Sequence, residues 1–260
     1  MVQGRSAVLY SCSSNPLRLL TPCINRESVW AYLSSFGGGM VAGDQTSMKV
    51  TVDRNARCFL GTQASTKIYK NHLSRPCAHH LNATIGNNAL LVFTPDPVQC
   101  FAGSTFDQCQ RFDLEQASNL VLLDWVSSGR AARGERWAMN RYSSRNEIRR
   151  EDRLIFLDAL KLEPAETKLG NPFRTGGYHC FATVLLLGPL LAGHAAKILE
   201  AFASQPPPCR EPVLASASPL EDGAVLRFAG THVQEVAAAI FRHLQFVAEL
   251  LNDNPWLRKW

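Results

Sequence analysis

The chain has 260 residues, of which 46% are hydrophobic and 19% are charged, and its formal net charge is +5. This composition is that of an ordinary globular protein with a large core, arranged in one or two domains. The modest positive charge permits an acidic protein partner. Because no nucleic-acid-binding motif accompanies it, we expect no nucleic-acid partner.

The sequence offers no segment suited to a secretory signal or a membrane span. The apolar run Ala7–Tyr10 is too short for a signal-peptide core, and glycines and a proline interrupt the longest run, Phe181–Ala196. The eight cysteines include no C-x-x-C pair, so we expect reduced thiols. These features predict a cytoplasmic protein with no membrane association.

Short β segments separated by turns dominate the first 160 residues. Apolar alternation and β-branched residues predict strands at Ala7–Tyr10, Val29–Leu33, Met48–Val52, Cys58–Gln63, Ala89–Phe93, Gln110–Leu114 and Leu120–Val126. The turn residues Asp53-Arg54-Asn55 predict a hairpin that joins the third of these segments to the fourth.

The arginine-rich segment that follows is ambiguous. Arg141, Arg145, Arg149 and Arg153 recur at the helical i, i+4 spacing, which leaves a helix open. A turn at residues 149–152 that leads into the apolar segment Leu154–Leu157 favours strands instead. We therefore predict a pair of strands here.

The character of the sequence changes after Tyr178. A buried strand is predicted at Phe181–Leu187, a helix at about 189–203 that begins with Pro189, and a strand at Ala224–Phe228. An extended connector is predicted at residues 206–208, which are three prolines.

A second helix is predicted at about 231–252. Its apolar residues recur on one face, and Thr231 with Gln234 matches a capping box. With no repeat or clear boundary in the chain, these elements predict a single domain over residues 1–260. The fold class is mainly β, a multi-stranded layered β-sheet domain with two late α-helices.

The segment from Phe36 to Tyr69 is the most informative part of the chain. It begins with a glycine-rich turn and one acid, which are Gly38, Gly39, Gly43 and Asp44. It ends in a polar block that contains Thr62, Gln63, Ala64, Ser65, Thr66, Lys67, Ile68 and Tyr69. The glycines match neither a Walker loop nor a dinucleotide-binding motif, so we do not expect a bound nucleotide.

Both parts of this segment resemble the urease accessory proteins of the UreD (UreH) family. The first part resembles the family's G-G-x-x-x-G-D turn, and the second its T-Q-[AS]-[AS]-T-K-[VI]-Y stretch. Downstream, Gly129-Arg130, Gly134-Glu135 and Trp137 are similar to a third family segment, G-R-x-x-x-G-E-x-[WF].

The resemblance implies a mainly β, non-catalytic chaperone. Such a protein joins UreF-like and UreG-like accessory proteins on the urease apoprotein, so that nickel reaches the urease active site. It binds no stable cofactor, and nickel is in transit through an internal polar tunnel. The resemblance places tunnel residues at Asp44 and Thr66 and, by looser similarity, at Asp124 and Asp158. It also implies that the last helix contacts the UreF-like partner, through Val233, Ile240, Phe241 and Leu244.

A conduit for nickel is chemically consistent with carboxylates. Nickel binds imidazole and thiolate tightly, so oxygen ligands and retained water suit an ion that must leave again. Asp124 and Asp158 lie within apolar segments, where an unpaired charge is costly. An arginine partner for each acid is the alternative.

Other functions stay open at this point. A hydrolase that uses Cys180 or a Ser/Thr nucleophile is one alternative, although no G-x-S-x-G motif occurs. A β-sandwich interaction module unrelated to urease is another. The cluster formed by Cys77, His79 and His80 is predicted to lie in a surface loop, with a transient metal site as its alternative.

Overall fold

The computed structural model describes residues 4–22, 27–73, 75–167, 169, 171–204 and 212–257. Strands within these ranges are β1 Leu17–Leu20, β2 Val29–Ser35, β3 Gln45–Val52, β4 Arg57–Thr62, β5 Lys67–Ile68, β6 Cys77–Ile85, β7 Leu90–Phe93, β8 Val98–Cys100, β9 Thr105–Leu114, β10 Asn119–Ser127, β11 Arg141–Arg150, β12 Arg153–Leu162, β13 Cys180–Leu187, β14 Val213–Leu220 and β15 Gly223–Gly230. The helices are α1 Pro164–Thr167, α2 Pro172–Thr175, α3 Pro189–Ala203, α4 Val233–His243 and α5 Val247–Leu251.

The strands form two sheets. The large sheet has the order β1-β2-β4-β7-β10-β13-β15-β14, with β8 beside β10 and β5 beside β8, and the small sheet has the order β12-β11-β9-β6-β3. The chain passes back and forth between the sheets, and β3, β6, β9 and β11 are parallel neighbours. The mainly β, layered architecture is therefore confirmed, and its stacked windings are solenoid-like.

Apolar side chains fill the space between the two sheets. Others cover the outer face of the large sheet. Leu91 and Phe93 of the large sheet pack against Ile85 and Phe112 of the small sheet. On the other face, α3 and α4 cover the large sheet with residues such as Ile240. Burying one such side chain contributes about 1.5 to 3 kcal/mol, so both layers hold the large sheet in place.

Most of the predicted strands are confirmed, including the β11–β12 pair, whose turn holds Glu151 and Asp152 at positive φ. The strand predicted at Ala7–Tyr10 is wrong, because these exposed residues form no strand. The predicted hairpin is also wrong. The turn at residues 53–55 carries the chain from β3 in the small sheet to β4 in the large sheet, where each finds parallel partners.

The first predicted helix coincides with α3, but the second is two helices. A break at residues 244–246 separates α4 from α5. The capping box is wrong, since the N-cap residue is His232 and no side chain caps the helix; Thr231 Oγ1 contacts His232 and Glu235 instead. The proline connector at 206–208 lies outside the described residues. No helix in the described part of the chain is long and apolar enough to cross a membrane.

Candidate functional site

A polar stripe interrupts the apolar layer between the sheets. On the small sheet, Thr46, His79, Gln108 and Ser144 stand in register on β3, β6, β9 and β11. On β9 the next inward residue is the apolar Phe106 on one side of this row and the polar Gln110 on the other, and the apolar Phe112 follows Gln110. Because side chains alternate along a strand, each of the four strands directs one polar side chain into the same level of the interior.

Asp124 of β10 faces this stripe from the large sheet. Its Oδ1 accepts a hydrogen bond from Gln108 Nε2 at 2.9 Å. Its Oδ2 accepts from Ser144 Oγ and from Asn146 Nδ2, each at 2.7 Å. Burial raises the pKa of Asp124, and these three hydrogen bonds oppose the rise. Among the described residues no cation lies within salt-bridge distance of this carboxylate.

Two cavities meet at Asp124. The first has a volume of about 140 Å³ and is lined by Thr46, Thr66 and His79, among others. The second has a volume of about 340 Å³ and is lined by residues that include Asp158. Asp124 and its neighbour Trp125 line both. A half-buried carboxylate is thus shared by two partly open cavities.

The polar block after β4 forms the outer wall of the first cavity. Thr62, Gln63 and Thr66 all line it, and the exposed Gln63 accepts a hydrogen bond from Ser34 Oγ at 2.6 Å. Asp96 lies beside them, where its Oδ2 accepts from Thr62 Oγ1 at 3.1 Å. Sequence reasoning assigned no role to Asp96, because two prolines flank it and mark it only as part of a bend.

Asp158 closes the far side of the second cavity. Its Oδ1 lies 3.0 Å from Arg227 Nη2, and its Oδ2 accepts from Thr183 Oγ1 at 3.3 Å. Arg227 also donates to Thr183. The alternative of an arginine partner therefore holds for Asp158, in contrast to Asp124.

Asp44 lies apart from these acids and lines neither cavity. Its Oδ2 accepts from the Val41 backbone N–H at 2.8 Å and so closes the glycine-rich turn, in which Gly43 has a φ of 88°. Within the described ranges no three His, Cys, Asp or Glu residues are grouped closely enough to hold a metal ion. The structure thus brings together Asp124 and Asp158, and it separates Asp44 from both.

The remaining motif residues brace the wall of the first cavity. Gly38 lines the cavity, and Gly39 approaches β5 so closely that a Cβ would lie 2.5 Å from Lys67 O and 2.7 Å from Tyr69 Cε2. Met40 pairs with this strand through two backbone hydrogen bonds. Its N–H donates to Lys67 O, and its carbonyl oxygen accepts from the Tyr69 N–H.

Arg130 and Glu135 form an ion pair of the third motif. Arg130 also stacks over Phe101, 4.4 Å from the ring centroid. The pKa of Glu135 is lowered, chiefly by the hydrogen bond from Arg130. Neither residue lines the first or second cavity, so their visible role is to fix the loop before β11.

The surface loop predicted for Cys77, His79 and His80 is wrong, because all three belong to β6. Alternation buries Cys77, exposes His80 and turns His79 toward the first cavity. The pKa of His79 is lowered to about 4, mainly by burial, so its ring is neutral near pH 7. The two adjacent histidines interrupt the apolar alternation, so the sequence did not predict this strand.

The residues predicted to contact a partner differ in their exposure. Ile240 and Leu244 are fully buried in the core between helices and large sheet, while Val233 and Phe241 are partly buried against it. The buried pair therefore holds α4 on the sheet and is not on the surface. The outer face of α4 carries Glu235 and Arg242, both exposed.

Cys180, the alternative nucleophile, is buried in the core, and burial raises the pKa of its thiol to about 12. A reactive cysteine requires the opposite shift, because the thiolate is the nucleophile. Cys180 therefore has the environment of a structural residue.

Taken together, fold and site define a solenoid-like β protein with a polar, carboxylate-containing interior. The sequence model of the UreD urease accessory protein family matches residues 1–260. The chain belongs to the UreD urease accessory protein family.

Individual relatives agree with this assignment. A urease accessory protein UreD of Sorangium cellulosum is 45% identical over 262 residues, which cover 100% of this chain and 81% of that protein. A urease accessory protein UreD of an Anaeromyxobacter species is 41% identical over 99% of this chain and 86% of its own length. A urease accessory protein D of Oryza sativa subsp. indica is 33% identical over 98% and 92%, respectively.

Proposed function

We propose that this protein is a non-catalytic chaperone of urease maturation, which joins UreF-like and UreG-like proteins on the urease apoprotein. Nickel crosses the protein between the two sheets, from the first cavity past Asp124 into the second. Support for the role in maturation comes from membership of the family. Support for the path comes from the position of Asp124.

Asp124 is the observation that carries the proposed path. It is an interior carboxylate that lines both cavities, and its hydrogen-bond donors are the neutral groups of Gln108, Ser144 and Asn146. Neutral donors stabilise the charge without cancelling it, so the site favours a visiting cation. Asp158 is already paired with Arg227, so it attracts a visiting cation less strongly than Asp124 does.

The lining suits transit more than storage. Hydroxyl and amide side chains such as Thr46, Thr66 and Gln108 line the first cavity beside Asp124, and the described residues include no closed cage of His and Cys ligands. Oxygen ligands bind nickel less tightly than imidazole or thiolate, so the ion can keep part of its water and move on.

The partner surface that we propose on α4 is its outer face and not its buried residues. Val233 and Phe241 are the members of the predicted set with partial access, and Glu235 and Arg242 flank them. A UreF-like partner that binds this face would contact a mixed polar and apolar surface.

The test is reconstitution of urease with its accessory partners at limiting nickel. We expect Asp124→Asn to retain assembly on the urease apoprotein and to lose most activation, because the neutral amide no longer attracts the ion. Asp113→Asn is the matched control, since its carboxylate pairs with Arg111 on the outside of the small sheet. Normal activation by the Asp124 variant would contradict the proposed nickel path. Unchanged activation in the absence of the protein would contradict the proposed chaperone role.

Asp44 is tested in the same assay. An asparagine can still accept the hydrogen bond from Val41, so Asp44→Asn retains activation if the residue only closes the turn. The double variant Asp44→Ala with Asp124→Ala should assemble and fail to activate. A loss with Asp44→Asn alone would place Asp44 on the nickel path.

A further inference from the structure

His79 is a second polar group of the first cavity that could bind a metal ion. Its Nδ1 lies 2.8 Å from Thr46 Oγ1, and Thr46 Oγ1 donates to the Ala78 carbonyl oxygen at 3.3 Å. A hydroxyl has one proton, and once that proton is given to Ala78 the oxygen can only accept. With the proton on the Ala78 side, the ring donates and carries its hydrogen on Nδ1; with the proton on the Nδ1 side, the ring carries its hydrogen on Nε2. The metal site proposed below requires the first arrangement.

This tautomer leaves Nε2 with a free lone pair. Among the described residues Nε2 has no hydrogen-bond partner, and the ring lines the first cavity. Orientation of an imidazole through a hydrogen bond from its other nitrogen is the usual arrangement for a metal-binding histidine. Thr46 thus acts as a positioning residue for the ring.

The ring also stands next to the Asp124 network. His79 is in register with Gln108 on the adjacent strand, and Gln108 donates to Asp124. An ion that moves from the outer wall of the first cavity toward Asp124 therefore has an imidazole available along its way.

We propose that His79 Nε2 is a transient, single-nitrogen ligand for a divalent transition-metal ion in the first cavity. The proposal rests on the proposed function. The lone pair of Nε2 replaces one water of the hydrated ion, and no proton is released, because the ring is already neutral. One nitrogen with otherwise oxygen neighbours holds the ion longer than water does without trapping it.

The tautomer is tested without metal, by ring nitrogen NMR of the 15N-histidine-labelled protein. We expect His79 to carry its proton on Nδ1, and the assignment follows from loss of the signals in His79→Asn. Thr46→Val should abolish this preference, and Thr46→Ser should keep it. A proton on Nε2 in the wild-type protein would overturn the proposal.

Binding is tested with Ni²⁺ added below stoichiometry to a His80→Asn protein, which lacks the exposed neighbouring ring. We expect paramagnetic broadening of the His79 ring signals, and Thr46→Val should weaken it. Unbroadened His79 signals while other histidines broaden would show surface binding only and overturn the proposal.

The role in transfer is tested in the urease reconstitution. We expect His79→Asn to slow activation several-fold at limiting nickel, while His80→Asn, changed at the next residue on the opposite face of β6, leaves the rate unaltered. Full activity of His79→Asn with loss in Asp124→Asn would refute the histidine ligand and leave the path intact. Full activity of both variants would refute the path itself.

Discussion

At the scale of single residues, the ionisation of Asp124 affects stability. Burial gives this carboxyl a higher pKa in the folded chain than its ordinary value of 3.8. The folded state then binds the proton more tightly than the unfolded state, so ionisation costs stability. The cost is absent at low pH and develops as the pH rises from about 4 through the folded pKa.

We therefore predict that Asp124→Asn gains stability relative to wild type as the pH rises from about 4 to neutral. Asparagine keeps the shape and can accept from Ser144 and Asn146, but it carries no charge to ionise. The measurement is the difference in unfolding temperature between variant and wild type across a pH series. Asp113→Asn controls for the change in net charge. A difference that does not vary with pH would contradict the prediction.

The sequence could identify Asp124 only through the family resemblance. Its donors Gln108, Ser144 and Asn146 are ordinary polar residues in alternating strands, and nothing local marks them as neighbours of one carboxylate. They meet because β9 and β11 pair in the parallel register that places Ser144 beside Gln108. Asp96 escaped for the same reason, since its cavity exists only after the sheets pack. His79 was considered as a metal ligand, but only in a surface-loop cluster with Cys77 and His80 and not as part of this cavity.

At the scale of elements, the glycine-rich turn depends on one close approach. Gly39 has an ordinary extended backbone, but a Cβ there would press on Lys67 O and the Tyr69 ring. We predict that Gly39→Ala lowers the free energy of unfolding by about 1 to 3 kcal/mol, because β5 must shift to make room.

Gly193→Ala is the control, and it should have the opposite sign. Gly193 is exposed in α3, and a Cβ added there would meet no atom within 4 Å, so alanine should gain about 0.5 to 1 kcal/mol from helix propensity. Denaturant unfolding measures both. Equal effects of the two substitutions would show that the contact with β5 is unimportant.

Strand prediction succeeded where the apolar alternation was local and failed where context decided. β10 and β13 are short runs of mostly apolar residues, a pattern typical of buried strands, and both were predicted. β6 contains two histidines and was missed, although its inward residues Leu81, Ala83 and Ile85 are fully buried. The assignment of β3 and β4 to different sheets depends on distant parallel partners, which a turn signal cannot reveal.

At the scale of the whole molecule, ion pairs join the two sheets at one end. Arg150, at the end of β11, pairs with Asp222 in the β14–β15 turn, and Arg153 of β12 pairs with Glu221. The side chain of Arg150 is only 12% exposed, whereas those of Arg153 and Glu221 are 66% and 75% exposed. Burial should make the first pair matter more than the second.

We predict that Asp222→Asn lowers the free energy of unfolding by about 2 kcal/mol, because a largely buried guanidinium loses its charged partner. Glu221→Gln, at the neighbouring position, should change it by less than about 0.5 kcal/mol. Denaturant titration of both variants gives the comparison. A Glu221 effect as large as that of Asp222 would contradict the distinction between buried and exposed pairs.

The order in which the windings are laid down has a consequence for how the polypeptide matures. Asp124 is synthesised before β11, so in a nascent chain that has reached only β10 its carboxylate has Gln108 and solvent water as donors. The next winding displaces this water and at the same time supplies Ser144 and Asn146, which offset the cost of its removal. The carboxylate is therefore withdrawn from water only together with the donors that stabilise it.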